Sequence, residues 1–138
     1  MNILFFLTPK ALCSYVESDD TMRQAMERLK QSGYTALPIL GPDGSYRGVL
    51  TEGDLLWGLR DLCVMDLRQT EEHYIRELSL RRAVHPVRVD ARIEDLLHTA
   101  AEQNFVPVID DREAFIGIVT RSSILRYCEK TYFQSKEP

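Results

Sequence analysis

The 138-residue sequence lacks any hydrophobic run long enough to cross a bilayer. Its apolar opening, residues 1–7, is followed at once by Thr8, Pro9 and Lys10 and has no basic segment before it. Secretory signals need such a basic segment, so the sequence predicts neither a signal peptide nor a membrane anchor. Residues 1–7 are expected to form a buried first strand or turn.

Cysteine is also scarce. Cys13, Cys63 and Cys128 are odd in number, far apart, and without the short spacing of metal ligands. Such residues are typical of reduced thiols that contribute to packing, which favours a cytoplasmic location.

Positive charge is too sparse for a nucleic-acid partner. The chain has 17 basic and 21 acidic residues and a net charge of −4, and its only basic cluster is the short pair Arg81 and Arg82. A phosphate backbone is bound by a stripe of Lys and Arg, which is missing here. A content of 44% hydrophobic and 28% charged residues nevertheless predicts a folded globule.

An internal repeat accounts for nearly the whole chain. Three residues of the first half recur 69 positions later, since Pro38, Gly48 and Thr51 correspond to Pro107, Gly117 and Thr120. Further upstream the offset is 71, as in Asp19 and Asp90, so the second copy is two residues shorter. Such self-similarity has to be identified before a fold is assigned.

Each copy predicts strand, helix, strand, strand, helix. Asp19 or Asp20 is expected to cap the first helix, and Asp90 its counterpart, ahead of apolar residues at helical spacing. A hairpin follows in each copy, at residues 36–50 and 106–119, and a second helix begins near Thr51. Residues 63–77 are a charged, partly helical connector.

Ordered motifs in both copies resemble the cystathionine-β-synthase (CBS) domain. They are TPK (8–10), VESD (16–19), GYTALPI (33–39), PDGSYRGVLTEGDLL (42–56), and the later NFVPVIDD (104–111) and FIGIVTR (115–121). Two CBS domains in tandem form a Bateman module. The layout is also similar to that of stand-alone CBS-pair proteins, among them receptors for cyclic di-AMP.

The resemblance implies an α+β fold of two pseudo-symmetric units, each a small, mostly three-stranded sheet with two helices. The first CBS motif covers residues 1–62, the connector 63–77, the second motif 78–130, and a C-terminal tail 131–138. It also implies a sensor that binds AMP, ADP, ATP, S-adenosylmethionine or a related adenosine ligand in clefts between the copies, commonly as a flat homodimer.

In the first copy the resemblance assigns ligand phosphate to Thr51 and ribose to Asp54. Thr51 precedes a predicted helix, whose free N–H groups favour an anion, and the Asp54 carboxylate can accept bonds from two hydroxyls. The alternative is that Thr51 and Asp54 only cap the helix. The adenine is expected beside Tyr34, Thr35 and Ala36, with Leu12 and Val16 against the ring and Lys10 near phosphate; core packing and a surface lysine are the alternatives.

The second copy has Ser123 in place of the acid and Arg121 after Thr120, and it is two residues shorter around Phe105 and Val106. A guanidinium suits phosphate oxygens, whereas Ser123 offers only a hydroxyl. We therefore expect the first site to prefer mononucleotides, because Asp54 would repel the phosphodiester of cyclic di-AMP. Any cyclic di-AMP would bind around Thr120 and Arg121.

Enzyme activity is not expected. None of His73, His85 and His98 has an acid or cysteine at a catalytic or metal-binding spacing, so no cofactor is predicted. A second class of function is a structural interaction module whose pockets are empty. With no room for an effector domain, the expected output is in trans, through an unidentified partner protein.

Overall fold

The computed structural model describes residues 1–136, with side chains described as far as residue 133. In chain order the strands and helices are β1 (Thr8–Pro9), β2 (Val16–Glu17), α1 (Met22–Ser32), β3 (Ala36–Leu40), β4 (Tyr46–Thr51), α2 (Glu52–Asp61), β5 (Val87–Arg88), α3 (Ile93–Glu102), β6 (Phe105–Ile109), β7 (Phe115–Thr120) and α4 (Arg121–Lys136). The expected succession of elements is present in both copies.

Residues 14–84 form one compact unit around the first copy. Its sheet has the order β2-β3-β4, with β2 parallel and β4 antiparallel to β3. The apolar faces of α1 and α2 cover this sheet, and the core includes Val16, Met22, Ala25, Leu37 and Leu50. A sheet this small buries a core only because the helices pack on it.

Residues 1–13 and the chain from His85 onward form the other unit, around the second copy. Its sheet has four strands in the order β1-β7-β6-β5. The core includes Ile3, Leu96, Val106, Val119 and Ile124. The extra strand comes from the N-terminal segment.

The compact units therefore do not coincide with the sequence repeats. The segment that opens each repeat packs with the other copy. Thr8 pairs with Ile118 and Pro9 with Gly117, so residues 8–9 lie on the second copy's sheet. The equivalent segment 71 positions later lies against the first copy, where Leu80 contacts Gly48. Gly117 has φ +152°, and a Cβ there would lie 2.2 Å from the Thr8 carbonyl oxygen, so β1 packs directly on glycine backbone.

Helix capping differs from the expectation. Thr21 caps α1, because its Oγ1 accepts from the Gln24 N–H at 3.1 Å while the Gln24 side chain accepts from the Thr21 N–H. Asp20 instead accepts from the Glu17 N–H, and Asp19 pairs with Arg76. The prediction for Asp90 was also wrong, since α3 follows Arg92 and has no side-chain cap.

The remaining segments are short turns. Residues Ile3–Phe6 form a 3-10 helix in which Ile3 is buried. A strand or a turn was expected for residues 1–7, and the structure has the turn. The connector contains 3-10 helices at Arg68–Glu72 and Ile75–Glu77. Helix α4 continues through Lys136 into the expected tail, whose residues 137–138 lie outside the described residues.

Candidate functional site

Strand pairing brings the predicted residues of the first copy together. Ala36, the first residue of β3, pairs with Thr51, the last residue of β4. The Thr35 carbonyl accepts a hydrogen bond of 3.1 Å from the N–H of Glu52, the first residue of α2. Tyr34, Thr35 and Ala36 therefore lie next to the first turn of α2, and the side chains of Tyr34 and Thr35 are exposed.

The second copy repeats this arrangement. Phe105 pairs with Thr120, and the Asn104 carbonyl accepts from the Arg121 N–H at 2.9 Å. The side chain of Val106, the next residue of the strand, is fully buried in the core. Each unit thus places the start of its hairpin beside a threonine and a helix N-terminus. We call this place, formed by Tyr34, Thr35, Ala36 and Thr51 or by Asn104, Phe105 and Thr120, the edge of that copy.

Thr51 and Asp54 form a reciprocal cap on α2. Thr51 Oγ1 accepts from the Asp54 N–H at 3.1 Å, and Asp54 Oδ2 accepts from the Thr51 N–H at 2.9 Å. These bonds pair two of the donors that a helix N-terminus leaves free. The structure therefore shows that both residues cap the helix, and their expected contacts with phosphate and ribose stay predictions.

The Asp54 carboxylate faces the protein. It is only 2% exposed, and its second oxygen, Oδ1, accepts from the Arg81 N–H at 2.9 Å. Both oxygens are bonded to backbone donors, which satisfies the buried charge. The expected contact of Asp54 with a ribose, and its expected repulsion of a phosphodiester, stay predictions.

Ser123 caps α4 in a different way from Asp54. Its N–H donates to Thr120 Oγ1 at 3.1 Å, as in the first copy, but its hydroxyl donates to the Thr120 carbonyl at 2.8 Å. The second copy thus retains the threonine cap without a buried charge.

The Arg121 guanidinium is bonded to α3 rather than presented as a free fork. Its Nε donates to the Ala100 carbonyl at 2.9 Å and its Nη2 to the Ala101 carbonyl at 3.4 Å. These carbonyls belong to the last turn of α3, where a cation is favoured. The side chain therefore joins α4 to α3, and the expected contact of Arg121 with a ligand phosphate stays a prediction.

Lys10 and Leu12 lie with the second copy, not with the first as the sequence analysis assumed. The 3-10 helix Lys10–Leu12 packs against β7. Leu12 is 76% exposed, whereas Val16 is fully buried in the core of the first unit. Lys10 and Leu12 belong to the unit around the second copy because β1 pairs with β7, and their expected ligand contacts stay predictions.

Arg81 is the residue that the sequence analysis missed. Besides its backbone bond to Asp54, its guanidinium lies next to Gly53, since a Cβ on Gly53 would be 3.0 Å from Nη1. It also lies 5.9 Å from the centroid of the Trp57 ring. The repeat offset of 71 makes Arg81 the counterpart of Lys10, and this relation could have identified it.

A groove of about 520 Å³ runs along the two helices of the first unit. It shares Tyr34, Thr35 and Glu52 with the edge described above and lacks Thr51 and Asp54. The rest of its lining comes from α1 and α2 and the turn after α1, namely Met26, Leu29, Lys30, Gly33, Leu55, Leu56 and Leu59. Its lining is mostly apolar.

Two partly buried ionisable groups are kept neutral. Burial raises the pKa of the Tyr46 hydroxyl far above its usual range, and this hydroxyl donates to the Val84 carbonyl. Burial likewise raises the pKa of the Cys13 thiol. Neither group is suited to act as a nucleophile at neutral pH.

Among the described residues, no group of three or more His, Cys, Asp and Glu side chains is arranged to hold a metal ion. Within the same part of the chain, no helix is long and apolar enough to cross a membrane.

A family model for the CBS domain matches residues 9–61 and 75–130. The fold is similar to that of CbpB in complex with c-di-AMP, with a TM-score of 0.86 and 20% identity over 99% of this chain and 91% of that one. CbpB from Listeria monocytogenes, also in complex with c-di-AMP, gives 0.83 at 17% identity, covering 96% and 98%. Hypoxic Response Protein I with two coordinated zinc ions gives 0.73 at 24%, covering 91% and 98%. No curated protein matches the sequence.

Proposed function

This chain belongs to the CBS domain family as a tandem pair, or Bateman module, and we propose that it is a regulatory module that binds an adenine nucleotide and signals in trans to a partner protein. The observation that supports this proposal is the shared geometry of the two copies. In each, the first residues of the hairpin lie beside a threonine-capped helix N-terminus, through the pairs Ala36 with Thr51 and Phe105 with Thr120.

This geometry suits a nucleotide. Backbone groups at the start of β3 or β6 can read the rim of an adenine, while the N-terminus of α2 or α4 favours phosphate. The exposed Tyr34 and Thr35 leave the first-copy edge open to a ligand. The module acts by binding, and no catalytic step is assigned to it.

The ligand class is AMP, ADP or ATP, with S-adenosylmethionine as a related candidate. Cyclic di-AMP is the second candidate, and two observations favour it. The Asp54 carboxylate is turned inward, so it sets no negative charge against a phosphodiester. In addition, CbpB, whose fold this chain shares, has been crystallised with c-di-AMP.

Signalling requires that the partner protein prefer the ligand-bound or the free state. We place the module in the cytoplasm, since its three cysteines are free thiols. A ligand-free interaction module is the competing function, and it differs in a measurable way because it gains no stability from nucleotides.

The experiment is a thermal-shift titration with AMP, ADP, ATP, S-adenosylmethionine and cyclic di-AMP, with GMP as the base control. A ligand that binds only the folded state raises stability by RT ln(1 + [L]/Kd), which is about 2.7 kcal/mol at 100 times Kd. We expect at least one adenine ligand to raise the melting temperature and GMP to leave it unchanged.

Two matched variants locate the ligand. Thr35 and Asn104 are exposed, equivalent residues directly before β3 and β6. Thr35→Glu and Asn104→Glu each place a carboxylate beside one copy's edge with little effect on the core. Loss of the shift in one variant assigns the ligand to that copy; a flat response of the wild type to all adenine ligands would instead favour the interaction module.

A further inference from the structure

We propose that Arg81 reads the phosphate groups of a ligand at the first copy and so determines whether that site prefers nucleotides over nucleosides. The inference rests on the proposed function and adds a residue and a selectivity to it. Arg81 lies in the segment that follows the connector, outside the motifs that carry the family resemblance.

The backbone of Arg81 is anchored at the start of α2. Its N–H donates to Asp54 Oδ1, and Asp54 is in turn bonded to Thr51. Because this carboxylate is buried, the anchor is shielded from water and is correspondingly strong. The Arg81 side chain therefore starts from a defined position next to the Thr51 cap.

Two neighbours direct the guanidinium. Gly53 has no side chain, and this leaves the space that Arg81 Nη1 occupies, only 3.0 Å from where a Cβ would be. The Trp57 ring, one turn further along α2, lies 5.9 Å from Arg81 Cζ and offers a cation–π contact. The charge is thus held over the first turn of α2, beside Thr51.

The guanidinium is available to an anion. Within the described part of the chain Arg81 has no carboxylate within 4 Å of its side chain, and the residue is exposed. A guanidinium presents several donors in a plane that matches phosphate oxygens. The ligand group it fits is therefore a phosphate carried by an adenosine bound at Tyr34, Thr35 and Ala36.

The test compares adenosine with AMP and ADP by calorimetric titration of wild type, Arg81→Ala and Arg82→Ala. Arg82→Ala removes the same charge from the neighbouring exposed residue. Because one or two charge-assisted bonds are lost, we expect Arg81→Ala to weaken the binding of AMP and ADP about 10- to 100-fold. Adenosine affinity should be unchanged, and Arg82→Ala should match the wild type.

Arg81→Ala keeps the backbone N–H, so the Asp54 anchor and the fold are retained, which its melting temperature will verify. Gly53→Ala is a second test, because the added Cβ displaces the Arg81 guanidinium without removing it. This variant should also weaken the binding of AMP more than the binding of adenosine. If Arg81→Ala weakened the binding of adenosine and AMP equally, or weakened neither, the role of Arg81 would be overturned while the proposed function would stand. A wild type that binds none of these three ligands overturns this inference, whereas the proposed function fails only if the full thermal-shift panel, including ATP, S-adenosylmethionine and cyclic di-AMP, is flat as well.

Discussion

Among single residues, Asp54 joins the start of α2 to the segment that carries Arg81. Its two oxygens accept the N–H groups of Thr51 and Arg81, which would otherwise be donors without partners at the start of α2. A family motif places an acid here for ligand binding, whereas the contacts show a cap and an anchor. Loss of ligand binding in an Asp54 variant would therefore be ambiguous without a measurement of stability.

Asp54→Ala is predicted to lower the free energy of unfolding by about 1–3 kcal/mol, because it leaves backbone donors without their acceptor. Asp54→Asn keeps one carbonyl oxygen and should cost less. Urea unfolding followed by circular dichroism measures both, with the adjacent exposed Glu52→Ala as control. If Asp54→Ala unfolded at the same urea concentration as the wild type, the buried carboxylate would have no structural role.

Among the elements, the segment 78–84 is held on the first unit by three contacts besides those of Arg81. Leu78 packs where Gly58 has no side chain, and a Cβ on Gly58 would lie 2.3 Å from Leu78 Cδ2. Leu80 contacts Gly48, and the Tyr46 hydroxyl donates to the Val84 carbonyl. A glycine inside a helix lowers helix stability by roughly 1 kcal/mol relative to alanine. At Gly58 the absence of a side chain allows the segment to pack closely.

Tyr46→Phe tests the third contact. At pH 7 the lost hydrogen bond should lower the free energy of unfolding by about 0.5–1.5 kcal/mol. Burial raises the pKa of Tyr46 in the folded state, so its contribution is present below the unfolded pKa of about 10 and is lost as the pH rises above it.

The stability advantage of the wild type over Tyr46→Phe should therefore shrink and reverse above roughly pH 10. Denaturant unfolding at pH 7, 9 and 11 measures this change. Tyr34→Phe, at an exposed tyrosine, is the control and should show no such dependence. A difference that stays constant up to pH 11 would contradict the assigned burial of the Tyr46 hydroxyl.

At the level of the whole molecule, both copies leave apolar helix residues uncovered at equivalent positions. Leu56 on α2 is 59% exposed, and its counterpart Leu125 on α4 is 60% exposed. The groove along α1 and α2 continues from Leu56 to Leu59 and Met26. Exposed apolar residues of this kind favour association, and most soluble oligomers are symmetric assemblies of identical chains.

We predict that the 15.9-kDa chain is a dimer in solution and that Leu56→Glu and Leu125→Glu each weaken it at least tenfold, since a charge in an apolar interface is costly. Light scattering after gel filtration measures the mass across a dilution series. Leu67→Glu, at an exposed residue of the connector, is the control. A wild type that remains monomeric at high concentration would reject the dimer.

Some features of the fold follow from local pattern. The hairpins at Ala36–Leu40 with Tyr46–Thr51 and Phe105–Ile109 with Phe115–Thr120 agree with prediction within one residue, because apolar runs separated by a turn determine both strands. The adjacency of the Tyr34 edge to Thr51 follows from the same hairpin. These relations involve residues close in the chain, so they require no knowledge of the rest of the molecule.

The location of Lys10, Leu12 and Arg81, and the direction in which Asp54 and Arg121 point, depended on the folded chain. Strand β1 has only two residues and carries no periodicity that would select a partner, and the two copies offer it similar sheets. Its pairing with β7, and the packing of segment 78–84 on the first unit, are decided by close contacts at Gly117, Gly48 and Gly58. The duplicated sequence was therefore sufficient to predict the two sheet-and-helix cores and the hairpin residues that lie beside Thr51 and Thr120. The position of Arg81 beside Thr51 emerged only from tertiary contacts, because these join residues far apart in the chain that meet after the sheets have formed.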